Sequence, residues 1–337
     1  MRWLKYLIYV IAILAIVYVL GPAPDAPKYD TSLPSVPADV SGLEAYVAKD
    51  QQAHKIKPGN EARIVWYNDS LKQPTEYAIV YLHGFSASQM EGDPVHREIA
   101  KQFGCNLYLA RLSQHGIDTT EQLMNLTPDN YWESAKEAYA IAKQLGKKVL
   151  LMGTSTGGTL ALQLAATYPE IAGLLLISPN IEINNPAAGF ANNHWGLQIA
   201  RMVQKGKYNK IASCETVPDY AKYWNCNYRL EAIVALQELL ETTMTEDNFK
   251  KIQQPVLTLA YYKNEKEQDP VVKVSAMRTM MQAIATPTDK KALIEMPNTG
   301  NHVQASPLVS KDVDGVRKAI VEYMSNVLKI SPAAALN

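Results

Sequence analysis

The feature that most constrains the fold is a glycine-rich turn directly after an apolar run, the segment LLMGTSTGGT at residues 150–159. Two glycine patterns fit parts of it. Gly153 and Gly158 fit the frame of a phosphate-binding loop, which requires Lys followed by Ser or Thr immediately after its last glycine. Thr159 and Leu160 stand there instead, so this frame lacks the residue that would carry the positive charge.

The second pattern is G-x-S-x-G, formed by Gly153, Ser155 and Gly157. In this pattern the serine lies on a sharp turn between a buried strand and a helix, with its hydroxyl exposed. Glycine tolerates the backbone conformation and close approach that such a turn needs. We therefore take Ser155 as the candidate nucleophile; the alternative is a Gly/Thr/Ser loop without chemistry.

Predicted strands and helices alternate along most of the chain. Runs rich in β-branched and aromatic residues predict strands, and apolar residues at helical spacing, bounded by Thr, Pro or Gly, predict helices. Such alternation indicates an α/β fold with a mostly parallel sheet covered on both faces, and a site at the carboxyl ends of the strands. The predicted strands are residues 62–67, 77–85, 105–112, 147–155, 171–179, 253–262 and 290–297, and the main helices are residues 41–53, 94–104, 127–146, 156–169 and 311–328.

Composition narrows the functional classes. Of the 337 residues 47% are hydrophobic, which is enough for a large core. Lys+Arg and Asp+Glu both number 33, so the basic excess of a nucleic-acid-binding surface is missing. The three cysteines do not make a disulfide framework, and no Cys/His cluster has the spacing of a zinc site. We predict no nucleic-acid partner, no metal and no cofactor.

An apolar segment precedes the folded part. Arg2 and Lys5 are followed by an uncharged run to Leu20, with aromatic residues toward its ends, as at membrane interfaces. We predict a transmembrane helix over residues 1–20 that attaches the protein to a membrane. Because the basic residues precede the run, the N-terminus should be cytoplasmic and the folded domain extracytoplasmic.

A secretory signal peptide is the alternative for this segment. The small residues after the run, Gly21, Ala23 and Ala26, are each followed by proline, which disfavours cleavage there, so we expect the segment to be retained. The proline-rich stretch at residues 21–40 predicts an extended, poorly packed linker. The folded domain is expected over residues 41–337.

A serine hydroxyl needs a base to become a nucleophile. In folds with this serine turn the chain order is nucleophile, acid, histidine. Four of the six histidines precede Ser155, and His194 falls in the long segment between two predicted strands. Only His302 follows the last predicted strand, so we predict that His302 is the base.

The acid is expected after the preceding strand, in the segment LAYYKNEKEQDPVV. We choose Asp269, because it directly precedes a predicted helix and so occupies a strand-to-helix crossover. There it would hold the tautomer of the histidine and stabilise the imidazolium. Glu267 is the alternative acid; otherwise Glu265 and Glu267 are expected to be solvated.

The oxyanion of an acyl-transfer intermediate needs two preorganised backbone donors. One is expected at Thr156, directly after the nucleophile, and the other in the loop after an earlier strand. We place the second donor at Phe85 in YLHGFSAS. His83 in the same stretch precedes the serine, and we expect it to have a structural hydrogen-bonding role.

In this order, the segments YLHGFSAS, ARLSQHG, LLMGTSTGG, QDPVV and GNHV resemble the α/β-hydrolase superfamily, in particular its carboxylesterase and monoacylglycerol-lipase-like branch. The resemblance covers about residues 60–330. It implies a Ser155–His302–Asp269 triad and an oxyanion hole formed by Phe85 and Thr156.

Two positions depart from the branch: Gln114 stands where glycine is frequent, and Thr154 where histidine is frequent. Neither change removes a catalytic group. The topology of the family also implies that residues 180–252, too long for a simple crossover, form a cap over the site. Its aromatic residues are expected either to line an apolar acyl pocket or to pack the cap onto the main domain; they are Trp195, Tyr208, Tyr220, Tyr223, Trp224 and Tyr228.

The predicted cap contains Cys214 and Cys226. An extracytoplasmic domain would be in an oxidising compartment, so we predict a disulfide between them, with two free buried thiols as the alternative. Cys105, which opens a predicted core strand, should remain free.

The resemblance implies a serine hydrolase that cleaves carboxylic esters, of an acyl lipid or a small alcohol, through an acyl-enzyme and without a cofactor. The same triad also serves peptidases, amidases and thioesterases. The alternative from another class is a catalytically silent binding protein on the same scaffold, which the complete set of candidate residues disfavours.

Overall fold

The computed structural model describes residues 2–334; Met1 and residues 335–337, at the ends of the predicted anchor and domain, lie outside this range. The strands are β1 (Arg63–Val65), β2 (Thr75–Leu82), β3 (Asn106–Leu109), β4 (Gly146–Thr154), β5 (Gly173–Ile177), β6 (Tyr208–Lys210), β7 (Asn227–Arg229), β8 (Val256–Ala260), β9 (Tyr262–Asn264), β10 (Glu267–Gln268) and β11 (Lys291–Glu295).

The α-helices range from single turns in the cap to two helices of 18 residues. They are α1 (Arg2–Val19), α2 (Val40–Gln52), α3 (Val95–Gln102), α4 (Pro128–Leu145), α5 (Thr156–Thr167), α6 (Gly196–Val203), α7 (Ser213–Thr216), α8 (Tyr220–Tyr223), α9 (Glu231–Thr243), α10 (Glu246–Phe249), α11 (Val274–Ala283) and α12 (Val313–Asn326).

Seven strands form the central sheet, in the order β1-β3-β2-β4-β5-β8-β11. Every neighbouring pair is parallel except β1 with β3, which confirms the predicted mostly parallel sheet. Strand β4 lies in the middle, between β2 and β5. The turn that follows β4 is therefore at the centre of the carboxyl edge, where sites in such sheets form.

Helices cover both faces of the sheet. Because successive side chains of a strand point to opposite faces, Ala78 and Val80 of β2 pack into one core with residues of α4 and α5, whereas Ile79 and Tyr81 pack into a second core with α3 and α12. All four side chains are fully buried. The sheet thus holds its carboxyl edge between two packed layers.

The start of α4 follows from its sequence. The Thr127 hydroxyl accepts the Asn130 N–H at 3.1 Å, and the Asn130 side chain accepts the Thr127 N–H at 3.0 Å. This reciprocal pair satisfies two donors that a helix start leaves without intrahelical partners. Thr127, the first residue of the helix predicted over residues 127–146, is therefore the N-cap of α4.

The cap is built from short elements. Helices α6–α10 and strands β6 and β7 lie between β5 and β8, within the predicted range of residues 180–252. A disulfide joins Cys214 to Cys226, with 6.0 Å between their Cα atoms, and Cys105 is free and buried. These observations confirm the predicted cysteine states.

The proline-rich stretch is extended, but the expectation that it packs poorly is wrong. The carboxylate of Asp129 accepts the N–H groups of Lys28 and Tyr29 at 2.8 and 2.9 Å. The indole of Trp132 donates to the carbonyl of Asp30 at 2.6 Å. The proline content of the stretch predicts only that it is stiff. Its packing depends on side chains of α4, about 100 residues later in the chain, and the composition of the stretch does not indicate them.

Helix α1 is exposed along its whole length. None of its residues is buried, and its 18 residues give a length of about 27 Å, close to the thickness of a bilayer core. Among residues 2–334 it is the one helix long and apolar enough to cross a membrane, a property that it shares with signal sequences.

The disulfide should stabilise the cap. Closing a loop of this size removes chain entropy from the unfolded state, and replacing both cysteines (Cys214→Ser with Cys226→Ser) should lower the free energy of unfolding by about 3 kcal/mol. Denaturant titrations with and without reductant test this: the reductant should destabilise the natural chain and leave the double variant unchanged. Equal stability of the oxidised and reduced natural chain would contradict the prediction.

Candidate active site

Ser155 lies on a strained turn between β4 and α5. Its backbone has φ 54° and ψ −120°, a region that residues other than glycine seldom occupy. The surrounding backbone holds it there: the Ser155 N–H donates to the carbonyl of Ile177 at 3.0 Å, and its carbonyl accepts the Asn180 N–H at 2.9 Å. Such strain persists only where neighbouring structure enforces it, and it is common at functional sites.

The glycines on either side of the serine are required by close backbone contacts. A Cβ at Gly157 would lie 1.9 Å from the carbonyl oxygen of Leu82, at the end of β2. A Cβ at Gly153 would lie 2.5 Å from the carbonyl oxygen of Gly157. Both distances are far below van der Waals contact, so a side chain at either position would force α5 away from the sheet and move Ser155.

Asp269 and His302 are brought together. The carboxylate Oδ2 of Asp269 lies 2.7 Å from Nδ1 of His302. The other oxygen, Oδ1, accepts the N–H groups of Val271 and Val272 at 2.9 and 3.1 Å. Because a carboxylate only accepts hydrogen bonds, Nδ1 carries the proton and Nε2 of the neutral ring is a free base.

The pKa values of this pair are shifted in opposite directions. Burial raises the pKa of Asp269, but the positive charge and hydrogen bond of His302 and the two backbone donors outweigh it, so the pKa is lowered. Burial lowers the pKa of His302, but the charge and hydrogen bond of Asp269 and the charge of Glu91 outweigh it, so the pKa is raised. The pair therefore stabilises an imidazolium.

The loop that carries His302 is tied to the sheet. The hydroxyl of Ser178, directly after β5, donates to the carbonyl of His302 at 2.8 Å. The amide of Gln304 donates to the Ser178 hydroxyl at 2.7 Å and to the carbonyl of Leu259 at 3.2 Å. These bonds fix the position of the imidazole relative to the ends of β5 and β8.

The alternative acids lie elsewhere. Glu267 is exposed and pairs with Lys263 at 2.5 Å, and Glu265 accepts the hydroxyl of Tyr262 at 2.7 Å. Among the hydrogen bonds of residues 2–334, neither carboxylate bonds to His302. The geometry favours Asp269 over both.

The two expected oxyanion donors are free. Neither the Phe85 N–H nor the Thr156 N–H has an acceptor among residues 2–334. The loop of Phe85 also approaches the nucleophile closely, since a Cβ at Gly84 would lie 3.0 Å from Cβ of Ser155. An unpaired N–H in a buried site is costly unless it serves a ligand, so these two donors fit the role assigned to them.

Two buried histidines support this loop. Nε2 of His83 accepts the Leu112 N–H at 3.1 Å, and its Nδ1 bonds to the carbonyl of Gly84 at 2.9 Å. Nε2 of His115 accepts the Ser86 N–H at 3.0 Å. Burial lowers the pKa of His83 to about 4, so the ring is neutral near pH 7. His83 thus has the structural hydrogen-bonding role expected from its position.

Sequence reasoning missed Glu91. Its side chain is 2% exposed, and its Oε2 accepts the Gly84 N–H at 2.5 Å. Burial raises its pKa to about 7, against the lowering effects of that hydrogen bond and of the charge of His302. The sequence offers one signal for this role, which is an acidic residue shortly after residues 83–85. The stretch around it is otherwise typical of a solvated loop.

One cavity joins these groups. It has a volume of about 890 Å³ and is lined by Ser155, His302, Phe85 and Glu91. Its other walls are largely apolar and come mostly from the cap, including Ile199, Val203, Ile211, Leu230, Ile233 and Leu236. Three of the six aromatic residues of the cap, Tyr220, Trp224 and Tyr228, line the cavity. The expectation that these residues line an apolar pocket therefore holds for half of the set.

Within residues 2–334, no group of three His, Cys, Asp or Glu side chains is arranged to hold a metal ion.

The buried carboxyl of Glu91 should make stability depend on pH. Between about pH 4.5 and 7 the folded chain keeps the Glu91 proton and the unfolded chain does not, so stability falls as pH rises through this window, by about 3 kcal/mol. Glu91→Gln keeps an oxygen for the Gly84 N–H and removes the titration. In denaturant titrations, the stability of the variant relative to the natural chain should therefore rise by about 2.5 kcal/mol between pH 5 and pH 8.

The exposed Glu322→Gln is the matched control for this change, and it should leave the pH dependence as it is in the natural chain. If the stability difference between Glu91→Gln and the natural chain is the same at both pH values, Glu91 does not titrate as described.

A known protein is similar to part of this chain. The thermostable monoacylglycerol lipase of Bacillus sp. (strain H-257) is 32% identical over 111 residues, which are 33% of this chain and 44% of the lipase. The match therefore spans less than half of the length of that relative. It indicates common ancestry over part of the chain.

Solved structures share the fold. A structure reported with two metagenome-derived lipolytic enzymes superposes with a TM-score of 0.63 at 17% identity, covering 80% of this chain and 98% of that chain. The monoacylglycerol lipase of Paleococcus ferrophilus superposes with a TM-score of 0.57 at 16% identity, covering 78% and 97%.

The sequence model of the alpha/beta hydrolase family matches residues 79–319, from strand β2 into helix α12. This range includes the serine turn, the acid and histidine loops and the whole cap. The chain belongs to the alpha/beta hydrolase family.

Proposed function

We propose that this protein is a serine hydrolase that cleaves carboxylic esters through an acyl-enzyme, with Ser155 as nucleophile, His302 as general base and Asp269 as the orienting acid. The observation that carries the proposal is a single cavity lined by both Ser155 and His302, in which Asp269 leaves Nε2 of the imidazole as the free base. The lipolytic and esterase character of the relatives and neighbours supports ester substrates.

In the first half-reaction, the Ser155 hydroxyl attacks the ester carbonyl and gives its proton to Nε2 of His302. The imidazolium that forms is stabilised by the carboxylate of Asp269. The negative oxygen of the tetrahedral intermediate accepts the free N–H groups of Phe85 and Thr156, which are already oriented and need no reorganisation. Collapse of the intermediate breaks the C–O bond, and the imidazolium protonates the leaving alcohol.

In the second half-reaction, a water molecule gives a proton to Nε2 and attacks the acyl carbon. The same two N–H groups stabilise the second oxyanion. Collapse releases the carboxylic acid and returns the proton to Ser155. His302 must be neutral to start either half-reaction, so the rate falls as pH drops through its raised pKa.

The cavity indicates the class of acyl group. Its volume of about 890 Å³ is at the upper end for small-ligand sites, and the cap contributes mainly apolar walls. Each buried methylene of an acyl chain is worth about 0.8 kcal/mol, so a chain of several carbons gains more from this cavity than a short one. We infer an acyl ester with a medium or long chain.

We also propose that α1 is retained as a membrane anchor, with the catalytic domain on the extracytoplasmic side. Proline follows each of the small residues Gly21, Ala23 and Ala26, which disfavours cleavage by a signal peptidase there. The disulfide of the cap fits an oxidising compartment. The basic residues Arg2 and Lys5 precede the apolar run and favour a cytoplasmic N-terminus.

Loss of the nucleophile or the acid should abolish turnover. Ser155→Ala and Asp269→Asn should each lower kcat for a p-nitrophenyl ester by at least roughly 1,000-fold with little change in KM, because members of a triad act as a unit. Steady-state kinetics of the full chain test this. The exposed Ser275→Ala and Glu267→Gln are the matched controls and should keep the natural activity. A severe loss in Glu267→Gln together with normal turnover in Asp269→Asn would show that the acid is wrongly assigned.

A further inference from the structure

The end of α1 is attached to the cap. Trp195, directly before α6, donates its backbone N–H to the carbonyl of Pro22 at 2.8 Å and its indole N–H to the carbonyl of Val17 at 3.0 Å. The ring of His194 bonds to the carbonyl of Gly21 at 2.7 Å. A helix leaves its last carbonyls without intrahelical partners. Here the indole N–H of Trp195 is the hydrogen-bond partner of one of them, the carbonyl of Val17. The last turn of α1 is therefore held at the start of α6.

The same part of the cap exposes apolar side chains. Outside α1, eight large apolar side chains of residues 2–334 are exposed, and four of them lie within residues 190–203. We call these four the apolar rim: Phe190, Ile199, Met202 and Val203, with exposed fractions between 50% and 72%. A concentration of this kind in one short segment marks an interaction surface.

The apolar rim borders the candidate active site. Phe190, Ile199 and Val203 also line the cavity that contains Ser155 and His302, whereas Met202 does not. The side chains that are exposed on the outside are therefore continuous with the apolar wall on the inside. A molecule that leaves a nonpolar phase at the rim would enter the cavity without crossing water.

Three lysines come after the apolar rim in the sequence. Lys205 and Lys207 follow α6, Lys210 ends β6, and all three are exposed. None of the three pairs with a carboxylate within the described part of the chain; the nearby Arg201, by contrast, is bound to Glu231. An apolar helix face beside unpaired lysines is the pattern of a surface that binds anionic lipids.

Resting on the proposed ester hydrolysis, we propose that the apolar rim and these three lysines lie on the bilayer surface, so that the cavity takes its acyl ester directly from the membrane. The attachment of α1 to Trp195 and His194 is the reason to choose a lipid surface over a protein partner. If α1 crosses the bilayer, the rim is held at the level where the helix leaves it. Tethering also makes contact intramolecular, which lets weak contacts suffice.

A fluorescence experiment tests the contact itself. The full chain is reconstituted in vesicles of phosphatidylcholine with about one quarter phosphatidylglycerol, a charge density that attracts basic segments. Met202→Cys is labelled with a polarity-sensitive dye, and the exposed Leu71→Cys serves as the matched site away from the cap. Lipids that carry a quencher should quench the dye at position 202 and not at position 71. Equal quenching, or none at position 202, would overturn the proposal, including the case in which the rim binds another protein.

A kinetic experiment tests the consequence. Met202→Glu combined with Lys205→Glu and Lys207→Glu should lower turnover of a long-chain monoacylglycerol embedded in the vesicles by about tenfold or more, because the changes replace an apolar contact and reverse two charges that attract an anionic surface. Hydrolysis of a soluble short-chain ester should stay within about twofold of the natural chain, and Leu71→Glu should affect neither substrate. Equal effects on both substrates, or no effect on either, would overturn membrane entry.

The two proposals fail in distinguishable ways. If the natural chain does not hydrolyse the soluble ester, the proposed function is wrong. If it hydrolyses the soluble ester, but the rim variants and the quenching behave like the Leu71 controls, only the membrane-facing entrance is wrong.

Discussion

The contact between the backbone of Gly157 and the carbonyl of Leu82 is the constraint on which the rest of the site depends. No residue with a Cβ fits there, since that atom would lie 1.9 Å from the oxygen. The contact brings the start of α5 against the end of β2 and leaves Ser155 at the top of the turn. It also places the Thr156 N–H and the loop after β2 on the same side of the sheet, which is the arrangement an oxyanion hole needs.

A buried polar network then fixes the loop after β2. His83 and His115 are neutral because of burial, and they accept backbone N–H groups that would otherwise be unsatisfied. Glu91 holds the Gly84 N–H and lies within electrostatic range of His302. A polar network of this kind stabilises only when its members are paired, so the loop is rigid where Phe85 presents its N–H. That rigidity supports the proposed electrostatic stabilisation of the oxyanion.

The sequence predicted the sheet, its helices and the residues proposed as nucleophile, acid and base, because each has a local pattern or a place in the chain order. Glu91 was missed since its burial arises from helices distant in sequence, and SASQMEGD by itself is typical of a solvated loop. The cap helices α7, α8 and α10 were not predicted because four residues each are too few to show a helical period. The packing of the proline-rich stretch was not predicted because it depends on contacts with α4, and the composition of the stretch carries no information about them.

The central claim, that Ser155 is the activated nucleophile, is tested most directly by the site of a covalent adduct. The full chain is treated with a fluorophosphonate, which reacts with serines activated by a neighbouring base, and the product is analysed by intact mass and peptide fragmentation. The account predicts one adduct per chain, on Ser155, and none in protein denatured before treatment. A folded chain that remains unmodified, or an adduct on a different serine, would contradict it.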